Sequence, residues 1–277
     1  MSGVASGELR VASEEDRAVE PRLPAPNSEP AISNSPLATR HSPLAYRERV
    51  RFRFSKTGDL RFIGHHDLQG CWERALRRAE IPVRFTEGFH PMPHLSSPLS
   101  LALGVEGLDE ILEIELTEPM SDEELRRRLE PQLDAGLALL SLSHPPKADK
   151  TRVVAVEYEV PLLGESEEAV RKAIERVEQA ESLPYQRFMP GKPIKNLDLK
   201  PWLLGFTVAE GVLRFRAAVL PTGMARPEEV LAVLGLESLV DRGAVLKRTR
   251  VELEVPAAAS AVGDLHHWPP NEQGAPA

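Results

Sequence analysis

Residues 64–67 read GHHD and residues 88–94 read GFHPMPH, two histidine clusters in a chain that holds eight histidines in all. Histidines grouped in this way can ligate a metal, act as a general base near neutral pH, or line a polar pocket. A metal would have to be held by His65 or His66 with Asp67, His90 and His94. His90 and His94 have the i, i+4 spacing of helical zinc sites, but Pro91 and Pro93 oppose a helix across them, so no metal is expected. A histidine base beside Ser96 or Ser97 would activate a 2′-hydroxyl and cleave RNA without metal. A pocket would be shaped by His65, Asp67, Glu87, Phe89 and His90, with Gly64 letting the backbone approach a ligand just before a helix N-terminus that attracts anions.

Cations crowd the same region. Residues 46–100 hold ten basic residues, Arg47, Arg49, Arg51, Arg53, Lys56, Arg61, Arg74, Arg77, Arg78 and Arg84, against six acidic ones. That surplus of four positive charges sits in a chain whose net charge is −8. Phosphate binding needs such a local reversal, because each cation that meets a phosphate releases counterions. Lys56, Arg61, Arg74, Arg77 and Arg78 are the expected phosphate contacts. Phe54, Phe62, Phe85 and Phe89 lie among them, and exposed rings can stack on bases. A second candidate is RFMPGKPIKNLDLKPWLLG, where Lys192 and Lys195 join Lys200, Asp198 and Trp202 in a Gly/Pro-rich connection. Each cluster has a plainer explanation, a solvated charged face over core phenylalanines or a long hairpin.

Other chemistries lack their residues. No phosphate-binding glycine loop, GxGxxG turn, HExxH or GxSxG motif is present. The single cysteine, Cys71, excludes an intrachain disulfide framework or a cysteine-rich cluster and suits a reducing cytoplasm. No run approaches the ~18 apolar residues that span a bilayer, and the first twenty residues carry acids in place of a signal peptide's apolar core, so neither a membrane nor export is expected.

The elements that position these residues follow from periodicity. Residues 1–45, rich in Pro, Ser, Ala and Glu, are expected to be a disordered tail, as are residues 257–277. YRERVRFRFSK alternates as a half-buried strand. DLQGCWERALRRAEI has helical spacing with Asp67 as its N-cap, IPVRFTEGF reads as a second strand, and DEILEIELTEP as a third. SDEELRRRLEPQL opens on a Ser121–Glu124 capping box, and GLALLSLSHPP closes the set as a fourth strand. The pattern recurs from RVVAVEYEVPL to AVLKRTRVELEV. The expectation is an α+β fold of two tandem ferredoxin-like (β-α-β-β-α-β) domains, 46–150 and 151–256.

The stretch RFSKTGDLRFIGHHDLQGCWERALRRAEIPVRFTEGFHPMPHLSSPLSLALGVEG resembles the radical SAM-linked protein family, whose domain also occurs fused behind cobalamin-binding radical SAM proteins. The likeness covers most of residues 47–116. His65 and His90 match the family pattern, whereas Gly64, His66 and Met92 depart from it. The resemblance implies a radical SAM enzyme as partner, several of which modify RNA. With no CxxxCxxC, the chain itself cannot hold such an enzyme's cluster. The expected function is therefore an accessory protein that binds tRNA or rRNA, or presents substrate, without a cofactor of its own. Fold analogy to the CRISPR repeat-processing endoribonucleases points the same way. The alternatives are a metal-independent endoribonuclease with His65 or His90 as base, and a protein-only docking partner.

Overall fold

Strand β1 (Glu48–Lys56) behaves as its alternation demands: Val50, Phe52, Phe54 and Lys56 turn inward, while Arg49, Arg51 and Arg53 share the other face. The computed structural model describes residues 46–254 except residue 88 and residues 147–149, so both expected tails lie outside the described residues. A 3₁₀ turn at Gly58–Phe62 leads into helix α1 (His65–Arg78), which buries Leu68, Cys71, Trp72, Ala75 and Leu76. Its N-cap is Gly64, not Asp67. Asp67 sits one turn in and accepts a hydrogen bond from the Gly64 N–H at 3.3 Å.

IPVRFTEGF is not a regular strand. Val83 and Phe85 make only isolated bridges, to Leu116 and Pro93, and the second strand is the dipeptide β2 (Leu95–Ser96). Pro82 removes a ladder donor just where a strand would start. β3 (Glu106–Leu116) follows, then α2 (Asp122–Leu129), whose N-cap Ser121 accepts from the Glu124 N–H, and β4 (Leu137–Ser143). The second half holds β5 (Val153–Pro161), α3 (Glu167–Gln179), a hairpin of β6 (Pro184–Arg187) and β7 (Lys195–Asp198), then β8 (Leu203–Ala209) and β9 (Val212–Ala218). It ends with α4 (Pro227–Leu234), a short α5 (Ser238–Asp241) that sequence patterning does not mark, and β10 (Lys247–Leu253).

The strands of both halves build one sheet, in the order β4-β1-β3-β10-β5-β9-β8, with β2 also on β3; β6 and β7 pair apart from it. All neighbours are antiparallel except β10 and β3. The length of β3 makes the junction possible. Its C-terminal part pairs with β2 at Glu113 and Ile114, leaving Glu106 and Gly107 free to receive β10. One core packs Phe52, Phe54 and Trp72 with α1 and α2; the other packs Tyr158, Phe206 and Phe215 with α3 and α4. Ile111, on the opposite face of β3 from Leu112, joins the second core.

A buried ion pair crosses the junction. Arg248 of β10 donates to both carboxylate oxygens of Glu110 on β3, with Nε–Oε1 at 2.8 Å, and to the Ser100 carbonyl at 3.1 Å. Burial alone would lower the Arg248 pKa, but Glu110 reverses this and holds it above the ordinary arginine value. Gly107 makes room for the pair, since a Cβ there would lie 2.5 Å from the Glu110 Cγ.

Both outer strands are irregular. β4 carries an extra residue, Leu140, between the partners of Arg53 and Phe54, and Arg126 of α2 donates to the Leu140 carbonyl at 3.1 Å. β8 likewise carries Leu204 between the partners of Ala217 and Arg216, and Arg171 of α3 donates to the Val208 carbonyl at 2.8 Å.

Candidate nucleic-acid interface

α1 turns its apolar stripe to the core, which leaves Arg74, Arg77 and Arg78 exposed on its outer face. α2 ends beside it with Arg127 and Arg128. Between them lies a shallow groove of about 390 Å³ lined by Arg78, Glu80, Arg127, Arg128 and Gln132. Two arginines share each nearby carboxylate. Asp134 receives Arg74 at 3.8 Å and Arg78 at 3.6 Å, and Glu124 receives both Arg127, at 2.7 Å, and Arg128. Hydrogen bonds from Arg127, then Arg128, hold the Glu124 carboxyl below the usual glutamate pKa. The Arg77 side chain has no hydrogen bond or ion pair among the described residues. Counting Glu80, five guanidinium groups face three carboxylates, and an incoming phosphate would meet a net positive surface.

Arg127 and Arg128 escape a reading that takes SDEELRRRLEPQL only as a helix. The signal was present, in three consecutive arginines beside a helix C-terminus. Glu80 is also unusual. It occupies the left-handed region, φ +51°, directly after α1, where glycine is the common residue. Its carbonyl accepts from Arg128 at 3.5 Å, which ties the end of α1 to α2.

The other expected cations divide. Lys56 is 1% exposed and donates to the Ile63 carbonyl at 3.0 Å. Burial lowers its pKa, opposed in part by Glu110, and its burial puts the ammonium out of reach of a surface ligand. Arg61 is placed over the Phe62 ring, 4.3 Å from its centroid, and Phe62 itself is exposed. The arginines of β1 are engaged by acids of β3: Arg51 bonds Glu113 at 2.8 Å, and Arg53 bonds Asp109. Much of the positive surplus in residues 46–100 is thus cancelled in space by a strand outside that window. Lys192 and Lys195 are exposed on the β6–β7 hairpin.

The two histidine clusters are anchored at opposite ends of β3. The turn before His65 is tied to its start, through Gly58 N to Glu106 Oε1 at 2.8 Å. The loop with Glu87, Phe89 and His90 is tied to its end, through Arg84 N to the Glu115 carbonyl at 2.8 Å. Nine steps along β3 separate those anchors, about 30 Å. Among the described residues no hydrogen bond, ion pair or ring contact joins His65 or Asp67 to Glu87, Phe89 or His90. The His65 and His66 rings lie 5.8 Å apart, and Asp67 takes up an amide of the helix N-terminus that an anion would need. Ser97 Oγ donates to the Ile111 carbonyl, and no histidine shares a hydrogen bond with Ser96 or Ser97 among the described residues. Nor do these residues gather three His, Cys, Asp or Glu side chains that could hold a metal ion. No helix among them is long and apolar enough to cross a membrane.

Alternating strands on a shared sheet, with an arginine-faced helix pair beside them, define an α+β protein with a candidate anion-binding surface. The chain belongs to the family described as "Uncharacterized protein conserved in bacteria (DUF2344)", whose model matches residues 49–234. A comparison with curated proteins finds no match. Among solved structures, the chain is similar to "Crystal Structure of an Unknown Protein from Galdieria sulphuraria", at 13% identity and a TM-score of 0.23, over 76% of this chain and 100% of that one.

Proposed function

We propose that this protein is an RNA-binding accessory module, built of two ferredoxin-like units joined through β3 and β10, that serves a radical SAM enzyme. Support for the ferredoxin-like reading comes from the strand orders β4-β1-β3-β2 and β10-β5-β9-β8, each a 4-1-3-2 arrangement with helices on its crossovers. The partner enzyme rests on the sequence resemblance over residues 47–116. The RNA reading is carried by one observation: around the α1–α2 groove four arginines share two carboxylates, Asp134 and Glu124, and the Arg77 side chain adds a fifth guanidinium with no ion pair among the described residues. Arginine in this arrangement suits the planar, multivalent oxygens of a nucleic-acid backbone.

Gel shifts of the full chain with tRNA and rRNA fragments test it. Binding should weaken on the order of a hundredfold between about 50 and about 200 mM salt if some five phosphates are contacted. Arg77→Gln should weaken binding alike for all sequences and lower the salt slope by about one. Absence of a shift at low salt, or an unchanged slope in a combined Arg74, Arg77 and Arg78 variant, would sink the proposal.

A further inference from the structure

The β6–β7 hairpin has features that neither core explains. Its base is fixed by several contacts. Arg187 forms a two-pronged bond with the buried Glu229 of α4 and donates to the Met224 carbonyl at 3.0 Å. Asp198 accepts from the backbone N–H groups of Leu183 and Lys200 at 2.7 and 3.0 Å. Tyr185 and Leu197 pack on the second core.

The tip is a tight turn, Met189-Pro190-Gly191-Lys192, closed by the Lys192 N–H on the Met189 carbonyl at 3.0 Å, with Gly191 at φ +73°. Proline then glycine at the two central positions is what a type II turn requires. An arm so braced presents its outer face without first having to be ordered.

That face has a specific chemistry. Gln186 and Asn196 stand opposite each other, their amides bonded at 3.2 Å. The register, carried beyond the strands, sets Phe188 opposite Ile194, and these are 70% and 57% exposed. Lys192 lies in the tip turn and Lys195, opposite Arg187, is exposed on the alternate face, and residues 182–197 contain no Asp or Glu in a chain with 42 of them. An exposed ring for stacking, amides for base edges and unpaired cations for phosphates meet on one rigid arm.

We infer that the hairpin is a stacking arm for single-stranded RNA, with Phe188 as its platform. This inference rests on the RNA reading above and narrows it, because a duplex offers no base face to a protruding ring. Lys192 and Lys195 follow the backbone, and the Gln186–Asn196 pair opens to bond the stacked base.

Fluorescence anisotropy of the full chain with a mixed-sequence 12-nucleotide RNA, alone and as a blunt duplex, tests the inference. Phe188→Ala should weaken single-strand binding about tenfold or more and leave duplex binding unchanged. Phe188→Trp should bind the single strand as tightly as the wild type. Lys192→Gln with Lys195→Gln should lower the salt slope by about two. Full single-strand affinity in Phe188→Ala, with Arg77→Gln still weakened, would overturn the arm and leave the RNA reading standing. No binding of either RNA by the wild type would remove both. Loss in Phe188→Ala of binding to phosphatidylserine vesicles, with RNA affinity intact, would overturn the inference in favour of a lipid surface.

Discussion

His144 lies between two carboxylates, 2.9 Å from Glu48 on β1 and 2.7 Å from Asp122 in the first turn of α2. It lies outside the histidine clusters that stand out in the sequence. Hydrogen bonding to Asp122, opposed by burial and reinforced by Glu48, raises its pKa above the ordinary 6.5. The protonated ring therefore contributes its full stability below about 6.5, and the contribution fades as pH rises through the higher folded-state value. Thermal melts should show the midpoint falling as pH climbs through that window, with the fall reduced in His144→Gln. Equal pH profiles for the two proteins would refute this account. Lys56 teaches a different lesson at the same scale. The period of two that turns Val50, Phe52 and Phe54 inward continues to residue 56, so its burial was legible. Counting it among surface cations gave charge more weight than position.

At the scale of elements, β3 explains most of the differences between expectation and structure. Its eleven residues separate the histidine clusters, supply the acids that neutralise the arginines of β1, and receive β10. The sequence alternation revealed a strand there. Nothing in the alternation says that a strand from the distant second half shares its edge, because pairing partners are set by tertiary packing. The same holds for β2, reduced to two residues where Pro82 and the Phe85–Pro93 turn interrupt the pattern. The Glu110–Arg248 pair closes this junction in the interior, where removing one charge strands the other. Glu110→Gln should lower unfolding stability by about 3 kcal/mol. Replacing both residues with leucine and methionine should restore much of that loss. Urea titrations measure both, and a single variant as stable as wild type would show that the pair does not hold the halves together.

At the scale of the whole molecule, the α+β character and nearly every helix were readable, because amphipathic period and capping residues are local signals. Ser121, Ser166 and Pro227 each mark the helix start the structure shows. The groove was only half readable: its α1 arginines stood out, while those of α2 became part of it only once the two helices lay side by side. Leu140 belongs to this scale, since the extra residue sets the outline of an entire sheet edge. Deleting it should straighten β4 and leave an uncharged, apolar edge open. Light scattering of concentrated protein should then reveal self-association absent from the wild type, and an unchanged particle mass would contradict the expectation. Leu140, its carbonyl held by Arg126, and Leu204, on a strand whose Val208 carbonyl is held by Arg171, give the sheet two irregular borders. Among the described residues, neither outer strand of the large sheet therefore offers an unbroken edge on which another copy could template fibre growth.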